Sequence, residues 1–456
     1  MITAVVNGTV VTESSCTKET LILGEGKIRA ILGPEEDYEK LYSGCKKLDA
    51  SGRYVVPGGV DGHVHFGGFG TIPIADDFYT GSRAALAGGT TTIVDFCEPV
   101  PGQSPVDCIR QRKKAGEISA VDFALHSTFT EDYRSELPLL PEIAAEGITA
   151  FKAFTYYDHT SLRPGDFRTI MEQIHDKGTL LVHAEEKSII DCMKERYRNT
   201  GDDMLPLSLS RPNISEQIAV EQVLAIAKET GTKLCIAHTS TKETVAIKKR
   251  EEREGNRKFF LETCPHYAAF DRERLKGEKG SLYTMNPPLR SAEDKNALMR
   301  ALADEDISIL STDHCPYLKK YKQDHTTYET VPCGVDGIQT RMLFLFSEAV
   351  LRRGLSMQAF VRMTSANAAK FYNLYPRKGA IAVGSDADLA LFDPDFSRIY
   401  SADEIAGATD YSVFEGFPFL GRCTCTVKGG EVVMQDGIVN AEKGSGSFLF
   451  TENRDC

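Results

Sequence analysis

Apolar and polar positions alternate in two different rhythms along this chain. The first 50 or so residues carry short apolar stretches separated by turn signals. Ala4 to Val11 is interrupted at Asn7-Gly8, and Leu21–Leu23 and Ile28–Leu32 flank Gly24 and Gly26. Stretches of this length between Gly and Asn predict short strands. From Tyr54 onward, short apolar runs alternate with longer segments of helical period. The runs are Val60–Phe66, Thr90–Phe96, Phe123–Phe129, Ile148–Phe154, Thr179–Ala184, Lys233–His238, Lys258–Glu262 and Ile307–Thr312. Between them Asp77–Ala87, Glu136–Glu146, Pro164–Lys177, Ser215–Thr230 and Ala292–Asp304 repeat apolar residues as a helix face does.

Eight strand-like runs with helices between them predict a (β/α)8 barrel of the TIM type, a fold that takes roughly 250 residues. An open doubly wound sheet is the other arrangement that alternates in this way. No GxGxxG follows an early strand, so its dinucleotide-binding form has no support. After about Leu374 short strands return at Leu389–Phe392, Cys423–Lys428 and Glu431–Met434, with Gly429-Gly430 as a hairpin turn between the last two. The two chain ends therefore read alike. We expect residues 1–54 and 376–456 to join in one small β-sandwich beside a barrel spanning 55–375.

Composition narrows the possible roles. Of 456 residues, 41% are hydrophobic and 26% charged, which is ordinary for a globular chain. The formal net charge of −12 argues against a nucleic-acid partner held by bulk attraction. No run of about 18 apolar residues exists to span a membrane, and MITAVVNGTVVTE has no secretory pattern. The 12 cysteines include no CxxC, and Cys423 and Cys425 sit two apart on one strand face. Reduced thiols in the cytoplasm are the expectation.

Chemistry concentrates at the ends of the predicted barrel strands. His63 and His65 close the first run, and residues two apart on a strand point the same way. Imidazoles so placed are good ligands for zinc and similar metals, although a lone HxH is equally what two hydrogen-bonded structural histidines look like. His183 ends the fifth run, His238 the sixth, and Asp313 follows the eighth. In this fold the C-terminal strand ends form one rim, where active sites lie. Lys152 lies in the apolar stretch Thr-Ala-Phe-Lys-Ala-Phe at the end of the fourth run. A snorkelling or ion-paired lysine would satisfy that position. Alternatively, burial lowers an amine's pKa, and a neutral amine combines with carbon dioxide to give a carbamate able to bridge two metals.

Together these residues give a specific resemblance. Pro57-Gly58-Gly59-Val60-Asp61-Gly62-His63-Val64-His65, Phe151-Lys152, Val182-His183-Ala184-Glu185, His238, Glu262-Thr263-Cys264-Pro265, Pro287-Pro288-Leu289-Arg290, Thr312-Asp313-His314-Cys315-Pro316 and Gly384-Ser385-Asp386-Ala387-Asp388 run through nearly the whole chain. The sequence resembles the hydantoinase/dihydropyrimidinase family, the cyclic amidohydrolases of the amidohydrolase superfamily. The resemblance implies that His63, His65, Lys152 and Asp313 hold one divalent metal, and Lys152, His183 and His238 a second. Zinc is the expected ion, with Lys152 carbamylated by carbon dioxide. It further implies that a hydroxide shared by the metals opens a dihydropyrimidine or 5-substituted hydantoin ring to an N-carbamoyl amino acid. Asp313 would move the proton to the leaving nitrogen, and Tyr157 would donate to the oxyanion.

Main-chain groups of two loops, Met285-Asn286-Pro287-Pro288 and Cys333-Gly334-Val335-Asp336-Gly337, match those that hold the ring amide. Here the chain departs from the family. Asn286 replaces the common Ser, and Asp336 replaces the common Asn. We expect the Asp336 carboxylate either to bias the choice of ring or to be a turn residue facing solvent. Phe66–Pro73 and Tyr156–Leu162 are the expected walls around the ring substituent. Gly67 stands where dihydroorotases carry an arginine, which argues against that activity. An allantoinase-like ureide hydrolase, a phosphotriesterase-like enzyme and a scaffold relative without catalysis are the competing readings. The complete ligand set opposes the scaffold. A homotetramer, or a dimer, is implied by the resemblance alone.

Overall fold

The computed structural model describes residues 2–68, 72–198, 200, 203–325 and 327–451. Seven short strands come first: Ile2–Val6 (β1), Thr9–Val11 (β2), Cys16–Lys18 (β3), Thr20–Gly24 (β4), Lys27–Leu32 (β5), Lys46–Asp49 (β6) and Tyr54–Pro57 (β7). The barrel strands follow: Gly59–Val64 (β8), Thr90–Cys97 (β9), Asp122–Thr128 (β10), Ala150–Phe154 (β11), Thr179–His183 (β12), Lys233–Ile236 (β13), Phe259–Thr263 (β14) and Ile309–Leu310 (β15). Leu389–Ile399 (β16), Pro418–Lys428 (β17), Glu431–Gln435 (β18) and Ile438–Val439 (β19) close the chain. Strands β8 to β15 pair in sequence order, each parallel to the next. Every residue of β8 to β12 is buried, as both faces of such a sheet must be when helices cover the outside.

The ring closes between its first and last strands. Val64 bridges His314, and the His65 N–H donates to the His314 carbonyl at 2.9 Å. Beneath this seam lies Arg341, completely buried. Its guanidinium donates to the carbonyls of Val60 (3.3 Å), Leu310 (2.7 Å) and Thr364 (3.0 Å) and to Thr90 Oγ1 (2.9 Å). One planar cation thus ties β8, β9 and the end of β15, using donors whose fork geometry suits several acceptors at once.

The helices depart from the sequence expectation in one place for a clear reason. Glu136–Glu146 does not form one helix. It breaks into Tyr133–Glu136, a 3-10 turn at Leu137–Leu139, and Leu140–Ala145. Pro138 and Pro141 each remove an N–H and crowd the preceding turn. Two further helices, Lys187–Tyr197 and Lys242–Arg253, escape a reading by apolar period. The first buries only Ile190, and the second rests on Val245, Ile247 and the aliphatic stem of Lys248. No helix among the described residues is long and apolar enough to cross a membrane.

The chain ends meet as the alternation of short strands predicted. One layer is wholly N-terminal, in the order β5-β4-β1-β6. The other, β19-β18-β17-β16-β7-β2-β3, joins both ends through the antiparallel pairing of β7 with β16, Val56 opposite Ala390. Val5, Leu21, Leu23, Val55, Leu389 and Val427 pack between them. A charged knot fastens this unit to the barrel. Lys378 Nζ lies 2.5 Å from Asp122 at the start of β10, 2.8 Å from Asp386 and 2.6 Å from Asp388, just before β16. The ammonium occupies the centre of a carboxylate cluster that could otherwise attract a metal ion.

Removing one member of such a buried cluster strands the others. Lys378→Met should lower unfolding stability by about 3–5 kcal/mol. A denaturation midpoint equal to wild type would show that the knot does not hold the two parts together.

Candidate metal centre and substrate pocket

Closure of the barrel is what brings the predicted ligands together. His63 and His65 leave β8 on the same side as Asp313, which follows β15. The Nε2 atoms of His63 and His65 each lie 3.1 Å from Asp313 Oδ1. Across the mouth, His183 at the end of β12 and His238 after β13 aim ring nitrogens at one another, Nδ1 to Nε2 at 3.0 Å. Lys152 of β11 is 1% exposed, and its Nζ has no hydrogen-bond partner among the described residues. It sits 5.1 Å from the centre of the Phe96 ring and 4.8 Å from that of Phe154. All six residues line one cavity of about 350 Å³, which Tyr157 and Asn286 also line.

Neighbouring carboxylates set the tautomers. His63 Nδ1 donates to Glu262 Oε1 at 2.7 Å, and His183 Nε2 donates to Glu185 Oε2 at 2.9 Å. Each bond leaves the other ring nitrogen as a lone-pair donor facing the cavity, the arrangement that metal-binding histidines adopt. Burial presses the His63 pKa down, and so does the nearby Lys152 charge. Glu262 and Asp313 outweigh both and hold it at about 9. A place so favourable to a proton is equally favourable to a metal cation. His183 is pushed down to about 4, because burial exceeds the pull of Glu185. Burial also lowers the Lys152 amine, against the opposing charges of Glu262 and Asp313. The lowered pKa values of His183 and His238, an ionised Asp313 carboxylate and a Lys152 amine pushed toward its neutral form suit divalent cations.

Backbone strain marks the same residues. His238, Asp313 and Tyr157 have φ of 35°, 51° and 123°, in a region that side chains rarely occupy. Such conformations cluster where function over-determines the chain. The half-buried Tyr157 phenol accepts from Arg211 Nη2 at 3.4 Å. A guanidinium only donates, so the phenol's own proton remains free to point into the cavity. Burial raises the Tyr157 pKa, which keeps it protonated despite the Arg211 charge. Arg211 is itself held by Glu185, so one carboxylate orients both His183 and the cation behind Tyr157.

The two loops expected to hold the ring lie side by side. Asn286, Cys333 and Gly334 all line the cavity, and the Gly334 N–H bonds the Thr284 carbonyl at 2.9 Å. Asn286 Oδ1 is buried without a partner. Asp336 corrects the expectation set for its side chain. Its carboxylate faces neither the cavity nor solvent. It is 6% exposed and accepts from Ser412 Oγ at 2.6 Å and the Val413 N–H at 2.9 Å. The C-terminal segment that receives it is 76 residues away in sequence, and no local pattern reveals it. Of the two expected walls, Tyr157, Asp158 and Thr160 line the cavity. Residues 69–71 of the Phe66–Pro73 stretch lie outside the described residues.

Sequence reasoning assigned no role to Glu262, Arg211 or Glu98. Glu262 had a signal, since it is an acid near the C-terminal end of a barrel strand, as the ligands are. Arg211 lies in a connection after β12, and nothing local ties it to Tyr157. His314 proves to be a buttress. Its Nδ1 accepts from the Gly337 N–H at 3.2 Å, and its Nε2 donates to Asp76 at 3.0 Å.

Residues 54–433 match the amidohydrolase family. The chain is 34% identical over 455 residues to a D-hydantoinase of Geobacillus stearothermophilus, covering 97% of this chain and 95% of that protein. It is 31% identical over 458 residues to a D-phenylhydantoinase of Escherichia coli (strain K12 / DH10B), covering 97% and 96%. Among solved structures it resembles a dihydropyrimidinase from Brevibacillus agri NCHU1002 with a TM-score of 0.94 at 29% identity, covering 99% of both chains. The L-hydantoinase (dihydropyrimidinase) from Arthrobacter aurescens gives 0.88 at 27%, covering 98% of this chain and 99% of that one.

The Glu262–His63 bond makes a specific demand. Glu262→Gln should weaken metal binding about 10–100-fold, the usual effect of removing a ligand's carboxylate partner. Metal content after equilibration against a graded chelator series measures it. Unchanged affinity would mean that Glu262 does not orient His63.

Proposed function

The chain belongs to the amidohydrolase family, and from that premise we propose that it hydrolyses a cyclic amide or imide. The ring is a dihydropyrimidine or a 5-substituted hydantoin, and the product an N-carbamoyl amino acid. The observation that carries this reading is the convergence of five histidine and aspartate side chains with the buried, partnerless Lys152 amine in one cavity. Hydantoinase and dihydropyrimidinase relatives along the whole chain support the same reaction.

His63, His65 and Asp313 would hold one divalent ion and His183 and His238 another. Lys152 would serve both after its amine adds carbon dioxide and loses a proton to become a carbamate. Zinc is the ion we expect. Such a pair supplies a nucleophile at neutral pH and polarises the carbonyl under attack. The remaining work falls to the chain. Asp313 takes the proton released as water adds to the ring carbonyl and returns it to the ring nitrogen as the C–N bond breaks. The Tyr157 O–H, its oxygen already engaged by Arg211, donates to the carbonyl oxygen as charge develops there. Main-chain groups of the Asn286 and Cys333–Asp336 loops hold the ring amide, and the apolar face of Phe154 excludes water. We place the enzyme in the cytoplasm as a homotetramer or dimer, an assembly that light scattering on the purified protein reads directly.

Dihydrouracil, dihydrothymine, hydantoin, 5-substituted hydantoins of both hands, allantoin and dihydroorotate form the test panel, assayed with metal content on the same sample. Ring opening of a dihydropyrimidine or hydantoin with about two metals per chain is the expected result. Turnover of allantoin alone would transfer the assignment to ureides, and a metal-loaded protein inert on every ring would refute it. Tyr157→Phe should lower kcat about 10²–10³-fold at full metal loading. Wild-type turnover by that variant would remove Tyr157 from the mechanism.

A further inference from the structure

The cavity extends beyond the metal ligands, and its outer wall has an uneven charge. Glu98 follows β9 directly and faces the cavity half-buried. Among the described residues its carboxylate has neither a hydrogen bond nor an ion pair, and the other acids of the interior contrast with it. Glu185 is held by Arg211 and His183, Glu216 by Ser240, Thr241 and Thr244, and Asp95 by Arg112. A partly desolvated carboxylate left unpaired costs stability unless something else completes it. Among the described residues Lys152 is the only lysine or arginine lining the cavity; its charge and that of Glu98 attract one another, but it belongs to the ligand set. Thr160, Asn286 and Cys333 are neutral, and Asp158 adds a second carboxylate at the exposed mouth.

We propose that Glu98 determines specificity, selecting rings whose substituent ends in a cation such as a primary amine or guanidinium and rejecting those that end in a carboxylate. This rests on the ring-hydrolase reading of the same cavity. The volume of about 350 Å³ accommodates a ring together with a side chain. Glu98 lines the same cavity as the six ligand residues and Tyr157, so a substituent on a ring held there lies within its reach. An opposite charge a few ångströms from a half-buried carboxylate is worth on the order of tenfold to a hundredfold in selection, and a like charge costs as much. An unpaired acid at this place therefore attracts one class of substrate and repels another.

Three hydantoins of matched length test the proposal: 5-(4-aminobutyl), 5-pentyl and 5-(3-carboxypropyl). The wild-type enzyme should show kcat/KM falling in that order, with the amine at least about tenfold above the alkyl ring. Glu98→Gln should bring the amine-to-alkyl ratio close to one, and Glu98→Lys should reverse the order so that the carboxylate leads. A structural role for Glu98 would instead lower all three together and leave their ratios alone, which would overturn the proposal. So would a wild-type enzyme that favours the carboxylate or ignores the charge. If pentylhydantoin opens without any charge preference, only the role of Glu98 falls. If no ring opens at full metal loading, the hydrolase reading falls and this proposal with it.

Discussion

The hydrogen bond from the His65 N–H to the His314 carbonyl is the seam on which this molecule depends. Until the first barrel strand meets the last, His63 and His65 belong to one end of a sheet and Asp313 to the other. The seam makes those residues neighbours at 3.1 Å. It is a weak join by itself, since β15 is only two residues long. Arg341 supplies the reinforcement from below by donating to both strands, in a place no water reaches to compete.

That closure creates an electrostatic problem. Lone pairs of several imidazoles and a carboxylate are forced together in one cavity where like dipoles repel. The protein limits the cost with carboxylates set behind the histidines. Glu262 and Glu185 each accept a hydrogen bond from the far ring nitrogen, Nδ1 of His63 and Nε2 of His183, which turns the other nitrogen toward the cavity. Glu185 is in turn neutralised by Arg211 and Arg290, which bond to it from the other side. The same Arg211 reaches Tyr157, so His183 and the Tyr157 phenol share one support. The left-handed backbone of His238, Asp313 and Tyr157 is retained inside this framework, where packing and hydrogen bonds outweigh the local strain.

The outer part of the cavity follows different rules. Of Asn286 and Asp336, the two positions that depart from the expected loops, only Asn286 lines the cavity. Asp336 instead anchors Ser412 and Val413, so its substitution belongs to the support of the loop. The carboxylate that faces the cavity there is that of Glu98, at a strand end whose sequence, Asp-Phe-Cys-Glu-Pro, offers no chemical motif.

The residues that converge on the cavity were legible in the sequence because each follows a local pattern. His63 and His65 share a strand face by the two-residue period, and His183, His238 and Asp313 each end an apolar run, so the barrel and its rim could be read together. The joining of the two chain ends was legible as well, from the matching rhythm of short strands. Prolines at 138 and 141 stand in the sequence as well, and they break Glu136–Glu146 in spite of its apolar period. What only the tertiary structure decided are contacts between residues far apart in sequence. Glu262 against His63 spans 199 positions, Arg211 against Tyr157 spans 54, and Asp336 against Ser412 spans 76. Side-chain period reports which face a residue occupies, but a hydrogen bond also requires the partner's position, and that follows from how the strands close and the loops fold over them.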